Sequence, residues 1–249
     1  MPSASAPESS DIGYIVHHRR LRETSLIVHC LTRAHGLVSL VARGVRANKR
    51  TRHCVLEFTS LQLGWSGRSN LPNLVRSEPL QASLMLHSER LLSALYLNEL
   101  VMRFVHRGDA NERAFHAYGE ALGALAAKVE IEPVLREFEI TLLESCGYGM
   151  VLELATDTEQ PIEAQADYFY VPDQGPLRNE PFTRYYRVSG VALLCLAKQA
   201  AWTLEAARAA KHLMRFVLHY HLGGRELASR KLWSRPATAA AVGRSVPEC

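Results

Sequence analysis

The amino-acid sequence predicts an α+β protein in which a small N-terminal β-barrel precedes an α-helical bundle. Within the first 80 residues, five short apolar runs rich in β-branched side chains are joined by turns. After Pro79, apolar residues recur every three or four positions, which is the spacing of amphipathic helices. Five short strands within about 70 residues fit a five-stranded barrel of the OB type better than a sandwich. The chain has 249 residues, of which 47% are hydrophobic and 22% charged, and this excludes a mostly disordered chain and a collagen-like fibre.

The barrel is predicted to occupy residues 12–80. Each expected strand is a run of apolar and β-branched residues bounded by polar or glycine-containing turns. The five strands are Gly13–His17, Ser25–Leu31, Leu37–Ala42, Leu56–Trp65 and Leu71–Val75. Residues 1–11 are rich in Ser, Ala and Pro, so they are predicted to form a disordered tail.

The helical domain is predicted over residues 81–235. Apolar side chains at helical spacing indicate three helices before Gly147 and two after residue 190, the last of them over Leu204–Leu222. Between the third and fourth helices, four prolines and a loss of periodicity predict an irregular insert at about 153–187. Residues 236–249 are predicted to be a second disordered tail.

Charge is distributed unevenly along the chain, whose net charge is +4. Residues 1–80 hold 11 Lys and Arg against 5 Asp and Glu, residues 81–207 hold 10 against 18, and residues 208–249 hold 8 against 2. Basic ends of this kind are typical of a protein that binds a polyanion. No apolar run reaches the length of about 20 residues that a membrane span needs. The five scattered cysteines predict reduced thiols, and therefore a cytoplasmic protein.

The segment after the third strand is the first candidate DNA-binding site. It is a polar loop without acidic residues, and its cations are Arg43, Arg46, Lys49, Arg50 and Arg52. A mobile basic loop can follow a phosphate backbone without reading its bases, whereas the alternative is a solvated loop. Trp65, beside a turn that carries Arg68, is the candidate platform for stacking on unpaired bases. Tyr14 and Phe58 are better explained as core residues.

The last long helix and the residues after it are the second candidate DNA-binding site. Basic side chains lie opposite the apolar stripe of this helix and continue beyond its glycine stop, as Arg208, Lys211, Arg215, Arg225, Arg230 and Lys231. Cations in the last turn also complement the helix dipole, but this does not explain Arg208 or Lys211. A phosphate-contacting or partner-docking surface and a plain solvated face are both compatible with the pattern.

Arg136, beside Leu135 and Phe138 on the third helix, is a candidate partner-binding residue. A guanidinium next to an apolar groove suits an acidic, hydrophobic peptide end, because it pairs with a carboxylate in bidentate fashion. The alternative is an intrahelical ion pair with Glu132 or Glu139.

Metal and catalytic motifs are not found in the sequence. The cysteines include no C-x-x-C pair, and His17 and His18 would point to opposite faces of a strand. There is no Gly-rich phosphate loop and no Gly-x-Ser-x-Gly nucleophile elbow. We therefore predict no metal, no cofactor and no enzymatic activity.

Several segments, taken in order, resemble the bacterial RecO recombination and repair mediators. The barrel segments are Gly13–His18 (GYIVHH), Arg22–Ser25, Leu31–Gly36 (LTRAHG), Leu40–Arg46 (LVARGVR) and Gly64–Arg68 (GWSGR). The segments of the helical domain are Tyr96–Leu100, Leu135–Glu139, Gly147–Gly149 and Leu222–Arg230 (LGGRELASR). The resemblance extends from about Gly13 to Trp233.

The resemblance implies an OB barrel joined to a helical domain and a non-enzymatic role in DNA repair and recombination. Such proteins bind single- and double-stranded DNA and anneal complementary strands. They recognise the acidic C-terminal tail of single-strand binding protein, and they join RecR protein to load RecA recombinase at gaps. Carried over by position, the cations of the 43–52 segment would contact DNA, and Arg136 would lie in the tail pocket. Some relatives carry a four-cysteine zinc module in the insert, but residues 153–187 contain no cysteine, which predicts no zinc.

The sequence thus predicts a cytoplasmic, nucleoid-associated recombination mediator of the RecF pathway that responds to DNA damage. One alternative is a protein-interaction adaptor that binds DNA only incidentally. Another is a nuclease or hydrolase whose site resembles no known motif.

Overall fold

The computed structural model describes residues 8–45 and 55–233. The chain begins with five strands that close into a barrel in the order β1-β2-β3-β5-β4. They are β1 (Glu8–Leu21), β2 (Ser25–Thr32), β3 (Gly36–Ala42), β4 (Leu61–Ser66) and β5 (Asn73–Pro79). The predicted five-stranded barrel is therefore confirmed.

Alternation along the strands separates the barrel interior from its outer surface. Ile15 of β1 is paired with Cys30 of β2, and both side chains are fully buried inside the barrel. A bulge between Ile15 and His17 then turns His17 outward, opposite His29. Strands β3 and β5 are parallel and meet only at Val41 and Asn73, which closes the barrel.

Several strand boundaries differ from the sequence prediction, including the ends of β1 at Leu21 and of β5 at Pro79, and the largest differences are at the starts of β1 and β4. Strand β1 begins at Glu8, inside the predicted tail 1–11, because the residues from Glu8 to Gly13 pair with β4. Strand β4 begins at Leu61 rather than Leu56, because Phe58 adopts a left-handed φ of 57° that no strand residue can take. Phe58 is instead buried against the helical domain.

The helical domain contains six helices within the described residues. They are α1 (Ser88–Phe104), α2 (Glu112–Ala126), α3 (Ile131–Ser145), α4 (Gly190–Leu196), α5 (Leu204–His221) and α6 (Ala228–Trp233). The side chain of Asn111 caps α2 by accepting a hydrogen bond from the backbone N–H of Ala114, and that of Thr203 caps α5 in the same way. Helix α6 is not expected from the sequence, because six residues are too few to display a helical period.

The insert between α3 and α4 is composed of two small sheets. Strands β6 (Leu154–Ala155) and β7 (Gln160–Pro161) form a two-stranded ladder. Strands β8 (Asp167–Val171), β9 (Gly175–Leu177) and β10 (Tyr186–Ser189) form a three-stranded sheet in the order β10-β8-β9. The loop between β9 and β10 carries residues 178–185, which lie next to the candidate site described below.

The outer face of the barrel contributes to the hydrophobic core of the bundle, which is separate from the barrel interior. Tyr14 of β1 points away from the barrel interior, and its ring lies 5.4 Å from the ring of Phe115 and 5.1 Å from that of Tyr118, both on α2. Gly119 makes this approach feasible, because a Cβ at this position would lie 2.7 Å from the hydroxyl oxygen of Tyr14. The barrel is therefore packed directly against the bundle.

The contact between Gly36 and the α1–α2 loop gives a stability prediction. Gly36 has a φ of 61°, and a Cβ there would lie 2.0 Å from the carbonyl oxygen of Asp109. We expect Gly36→Ala to lower the free energy of unfolding by more than about 2 kcal/mol, because it adds a backbone clash to left-handed strain.

Gly44 provides the matched control for this prediction. Its φ is 68°, but a Cβ there would meet no atom within 4 Å, so we expect Gly44→Ala to cost only about 1 kcal/mol. Urea unfolding of the two variants measures the difference. Equal losses would contradict a close contact between the barrel and the α1–α2 loop.

Candidate nucleic-acid and partner interface

A cleft of about 750 Å³ opens between helices α1, α3, α5 and α6 and the end of the insert. Its cationic lining residues are Arg136, Arg184, Lys211, Arg215, Arg230 and Lys231. Apolar and aromatic side chains lie among them, namely Tyr96, Leu135, Tyr186, Phe216 and Leu227. The combination of cations with apolar surface suits a ligand that is both acidic and hydrophobic.

The two carboxylates that line the cleft are already paired with lysines. Glu132 accepts a hydrogen bond from Lys211 at 2.6 Å, and Glu226 lies 3.7 Å from Lys231. Among the described residues, no carboxylate lies within ion-pair distance of Arg184 or Arg215. The arginines of the cleft therefore give it a net attraction for anions.

A buried ion pair forms the floor of the cleft. Arg136 is 4% exposed and donates through Nη2 to Oε1 of Glu139 at 2.8 Å. Tyr96 donates its hydroxyl proton to the same oxygen. Burial raises the pKa of Glu139 and also that of Tyr96. The intrahelical pairing considered for Arg136 is therefore formed, with Glu139 as its partner.

This pairing leaves part of the Arg136 guanidinium unused. Among the described residues, the Nε–H group of Arg136 has no hydrogen-bond acceptor, although it is buried. A buried donor without a partner is costly, so this side of the guanidinium is not stabilised by the pairing with Glu139. Arg136 also lines the cleft and can attract an anion there through its charge, while its Nε atom is enclosed and Oε2 of Glu139 is likewise without a partner among the described residues.

Helix α5 extends the positive surface beyond the cleft. Its buried stripe consists of Ala206, Ala210, Leu213, Met214, Val217 and Leu218. Arg208 and Arg215, seven residues apart, are exposed on the opposite side, and Arg225 is exposed in the glycine turn that follows. No described carboxylate pairs with any of these three arginines, so they are available to phosphate groups.

Only part of the predicted barrel site lies within the described residues. Arg43 is exposed and donates through Nε to the side-chain oxygen of Asn73 at 2.7 Å, which holds it against β5. Arg68 is exposed in the turn between β4 and β5. The remaining predicted cations, Arg46, Lys49, Arg50 and Arg52, lie outside the described residues.

Comparison with known protein families identifies the family to which this chain belongs. A model of the N-terminal part of recombination protein O matches residues 7–83, and a model of its C-terminal part matches residues 86–231. The chain belongs to the RecO family. The division between the two family models, near residue 84, falls between the last barrel strand and helix α1. The resemblance stated from the sequence motifs is thereby confirmed.

Individual members of the RecO family are similar to this chain over most of its length. A DNA repair protein RecO from Pseudoalteromonas atlantica is 38% identical, with 90% of this chain and 93% of the relative covered. Its counterpart from Aromatoleum aromaticum is 36% identical, with coverages of 88% and 92%. That from Nitrosococcus oceani is 37% identical, with coverages of 88% and 90%. The chain is therefore a DNA repair protein of the RecO type.

Two predicted site residues are placed elsewhere than expected for this RecO family member. Trp65 is 7% exposed and lies in the barrel core, with His35 edge-on at 5.2 Å, so the prediction that it stacks on bases is wrong. Phe138 is 1% exposed and packs against Tyr118, so it does not line the cleft. A residue two positions after Arg136 lies about 200° around the helix, which explains its orientation.

The structure also brings Arg19 and Arg107 close to two stacked histidines, His17 and His29, on the barrel. The sequence analysis missed this cluster. His29 is buried, and its Nδ1 lies 2.8 Å from Oγ of Ser39. Exposed His17 stacks on it at 5.7 Å, with Arg107 and Arg19 nearby. Burial, together with electrostatic interactions with these three neighbours, lowers the pKa of His29 to about 4. Only strand register brings His17 and His29 together, and Arg107 comes from the helical domain.

Residues 8–45 and 55–233 hold neither a candidate metal site nor a helix that could span a membrane. No group of three or more His, Cys, Asp or Glu side chains in these ranges could hold a metal ion. None of the helices in the same ranges has the length and apolarity required to cross a bilayer.

Proposed function

We propose that this protein is a homologous-recombination mediator that binds single- and double-stranded DNA without cutting it. It would anneal complementary strands and help load RecA recombinase onto gaps covered by single-strand binding protein. The observation that carries the proposal is the row of exposed arginines on α5, which has no carboxylate partner among the described residues and adjoins the cationic cleft. A chromosomal substrate implies action in the cytoplasm, at the nucleoid.

DNA binding in this proposal rests on neutralisation of phosphate charge. Arginines on α5 and the cluster of His17, Arg19 and Arg107 on the barrel are exposed and can each contact a phosphate oxygen. Such contacts release counterions and carry no base specificity. Annealing requires two strands to approach each other, and neutralising cations on both domains lower the repulsion between them.

The cleft supports the acidic C-terminal tail of single-strand binding protein as the partner. Arg136 offers its positive charge at the cleft lining, and Leu135, Phe216 and Leu227 offer apolar surface beside it. A free terminal carboxylate next to an apolar side chain matches both features. RecR protein is proposed as a further partner on the family resemblance alone.

The cleft by itself would also support a pure protein-interaction adaptor. The two functions differ in their behaviour toward naked DNA. A mediator binds DNA in the absence of any partner, whereas an adaptor with incidental affinity does not bind it at moderate salt.

A strand-annealing assay with fluorescently labelled oligonucleotides tests the proposal. We expect annealing of bare strands, annealing of strands coated with single-strand binding protein, and loss of the second activity when the coat protein lacks its acidic tail. Binding to mixed-sequence single strands should weaken steeply with salt, with a slope of about −0.7 per phosphate contact in a double-logarithmic plot.

Two controls accompany the annealing assay. Incubation with Mg²⁺ and labelled DNA should leave the DNA uncleaved, and cleavage that survives repurification would favour the nuclease alternative. Affinity for single strands that does not change between low and moderate salt would contradict binding through phosphates.

A further inference from the structure

Among the aromatic side chains that the structure describes, that of Phe182, in the loop between β9 and β10, is the most exposed to solvent. Its relative exposure is 113%, against 50% for Tyr220 and 38% for Tyr148. Those two tyrosines also pack against the ring of His221, at 5.2 and 4.6 Å. No aromatic ring of the described residues contacts Phe182, so both of its faces are open.

Aromatic side chains of the barrel do not offer such a surface. Tyr14, Phe58 and Trp65 are the only aromatic residues between positions 8 and 80, and each is at most 8% exposed. An exposed Phe or Tyr ring for stacking on an unpaired base is therefore found in the helical domain and not in the barrel.

The loop that carries Phe182 is fixed at both ends. Asp157 accepts hydrogen bonds from the backbone N–H groups of Arg178 and Asn179, both at 2.9 Å. At the other end, the ring of Tyr185 lies edge-on to Phe169 at 5.0 Å. A ring held on an anchored loop loses less conformational entropy on binding than one on a loose loop.

Arg184, two residues after Phe182 in sequence, has no carboxylate partner among the described residues. It places its guanidinium 5.5 Å from the ring centre of Phe216 and lines the cationic cleft. The other two arginines of this segment are paired, Arg187 with Asp167 and Arg178 with Glu163. Arg184 is therefore the cation of this loop that can reach a phosphate beside a stacked base.

The immediate neighbours of Phe182 argue against an apolar protein partner. Asn179, Glu180, Thr183 and Arg184 are polar or charged and exposed, and only Pro181, directly before Phe182, is apolar and half-buried. A binding hot spot for a protein partner is a cluster of apolar side chains. A single exposed ring among polar residues, near an arginine without a carboxylate partner, suits an unpaired base instead. Duplex DNA keeps its base faces stacked and offers none to this ring.

We propose that Phe182 stacks on a base of single-stranded DNA while Arg184 contacts a neighbouring phosphate. The inference rests on the proposed function, since it assumes that the chain binds single strands. It adds a specific contact that discriminates single strands from duplex, which phosphate neutralisation alone does not provide.

Fluorescence anisotropy with a labelled single-stranded oligonucleotide tests the inference in the full-length chain. We expect Phe182→Ala to weaken single-strand affinity by about five- to a hundred-fold, the range for loss of one stacked base, without changing the salt slope. Duplex affinity should change by less than about twofold. Arg184→Gln should reduce the magnitude of the slope by about 0.7.

Three further variants distinguish stacking from other roles of the side chain. Phe182→Tyr retains a ring and should keep the affinity, whereas Phe182→Leu retains apolar surface alone and should lose it as Phe182→Ala does. Met85→Ala removes another side chain that is 74% exposed and should have no effect. Because Phe182 makes no buried contact, thermal unfolding of its variants should match the unmodified chain.

Three results would overturn the inference. Unchanged single-strand affinity of Phe182→Ala, while the unmodified chain binds, would overturn stacking but leave the proposed function intact. Full affinity of Phe182→Leu would replace stacking with a non-aromatic contact. Failure of the unmodified chain to bind single strands would overturn the proposed function and this inference together.

Discussion

Replacing Arg136 by methionine is expected to abolish binding of an acidic C-terminal peptide in the cleft. Loss of one partner from a buried charged contact costs about 2 kcal/mol or more, which corresponds to at least about thirtyfold in affinity. The variant also leaves Glu139 buried without its cation, so the free energy of unfolding should fall by about 3–5 kcal/mol. Anisotropy of a labelled peptide and urea unfolding measure the two effects.

A double variant separates peptide binding from folding. Arg136→Met combined with Glu139→Leu removes both members of the buried pair, and apolar replacement of such pairs is close to neutral. We expect it to recover part of the lost stability, because the buried Tyr96 hydroxyl loses its acceptor on Glu139. Peptide binding should remain lost. Lys198→Met is the matched control, because Lys198 is an exposed cation that pairs with Glu137 of α3. Tight peptide binding by the folded double variant would contradict the assignment of Arg136.

Reversal of two charges on α5 is expected to produce the largest loss of DNA binding. Arg208 and Arg215 are seven residues apart, on one face of the helix, and neither has a carboxylate partner among the described residues. We expect Arg208→Glu with Arg215→Glu to weaken both single-strand and duplex binding. For single strands, the magnitude of the salt slope should fall by about 1.4, which is the share of two phosphate contacts. Titrations at several salt concentrations provide the measurement.

A control variant on α2 and a companion variant on the barrel segment accompany the α5 double variant. Arg113→Glu reverses an exposed arginine of α2 that pairs with Glu144, and it should leave DNA binding unchanged. Arg46→Glu with Lys49→Glu tests the predicted barrel segment independently and should also weaken binding without unfolding the chain. A slope unchanged by the α5 double variant would exclude this helix from the DNA path.

Much of the fold could be predicted because it depends on local periodicity. Alternation in the first 80 residues indicated five strands, and apolar spacing of three and four indicated the long helices. The same alternation also predicts that the side chain of Trp65 faces the barrel core. Leu61, Leu63 and Trp65 are two residues apart on β4, and all three face the barrel core. The stacking prediction for Trp65 ignored this pattern in favour of its nearness to a turn.

The candidate site was predicted in part. Arg136 and the basic residues of α5 were recognised, because helical spacing separates them from the buried stripe. Phe138 was assigned to the same site on sequence proximity, although helix geometry turns it toward Tyr118. Arg184, Phe182 and the histidines of the barrel cluster were missed, because strand pairing and loop anchoring decide their positions and leave no periodic signal.

The sequence by itself determined the family, the order of barrel and bundle, and the segregation of basic residues to the two ends of the chain. These properties depend on short-range patterns and on the order of motifs along the chain, so they can be recognised without a structure. Only the tertiary structure brought Tyr96, Arg136, Arg184, Arg215 and Arg230 to one cleft. They lie as many as 134 positions apart, and their meeting depends on how four helices and an insert pack around a shared core. Packing of that kind also decided that Tyr14, Phe58 and Trp65 became core residues while Phe182 remained open to solvent.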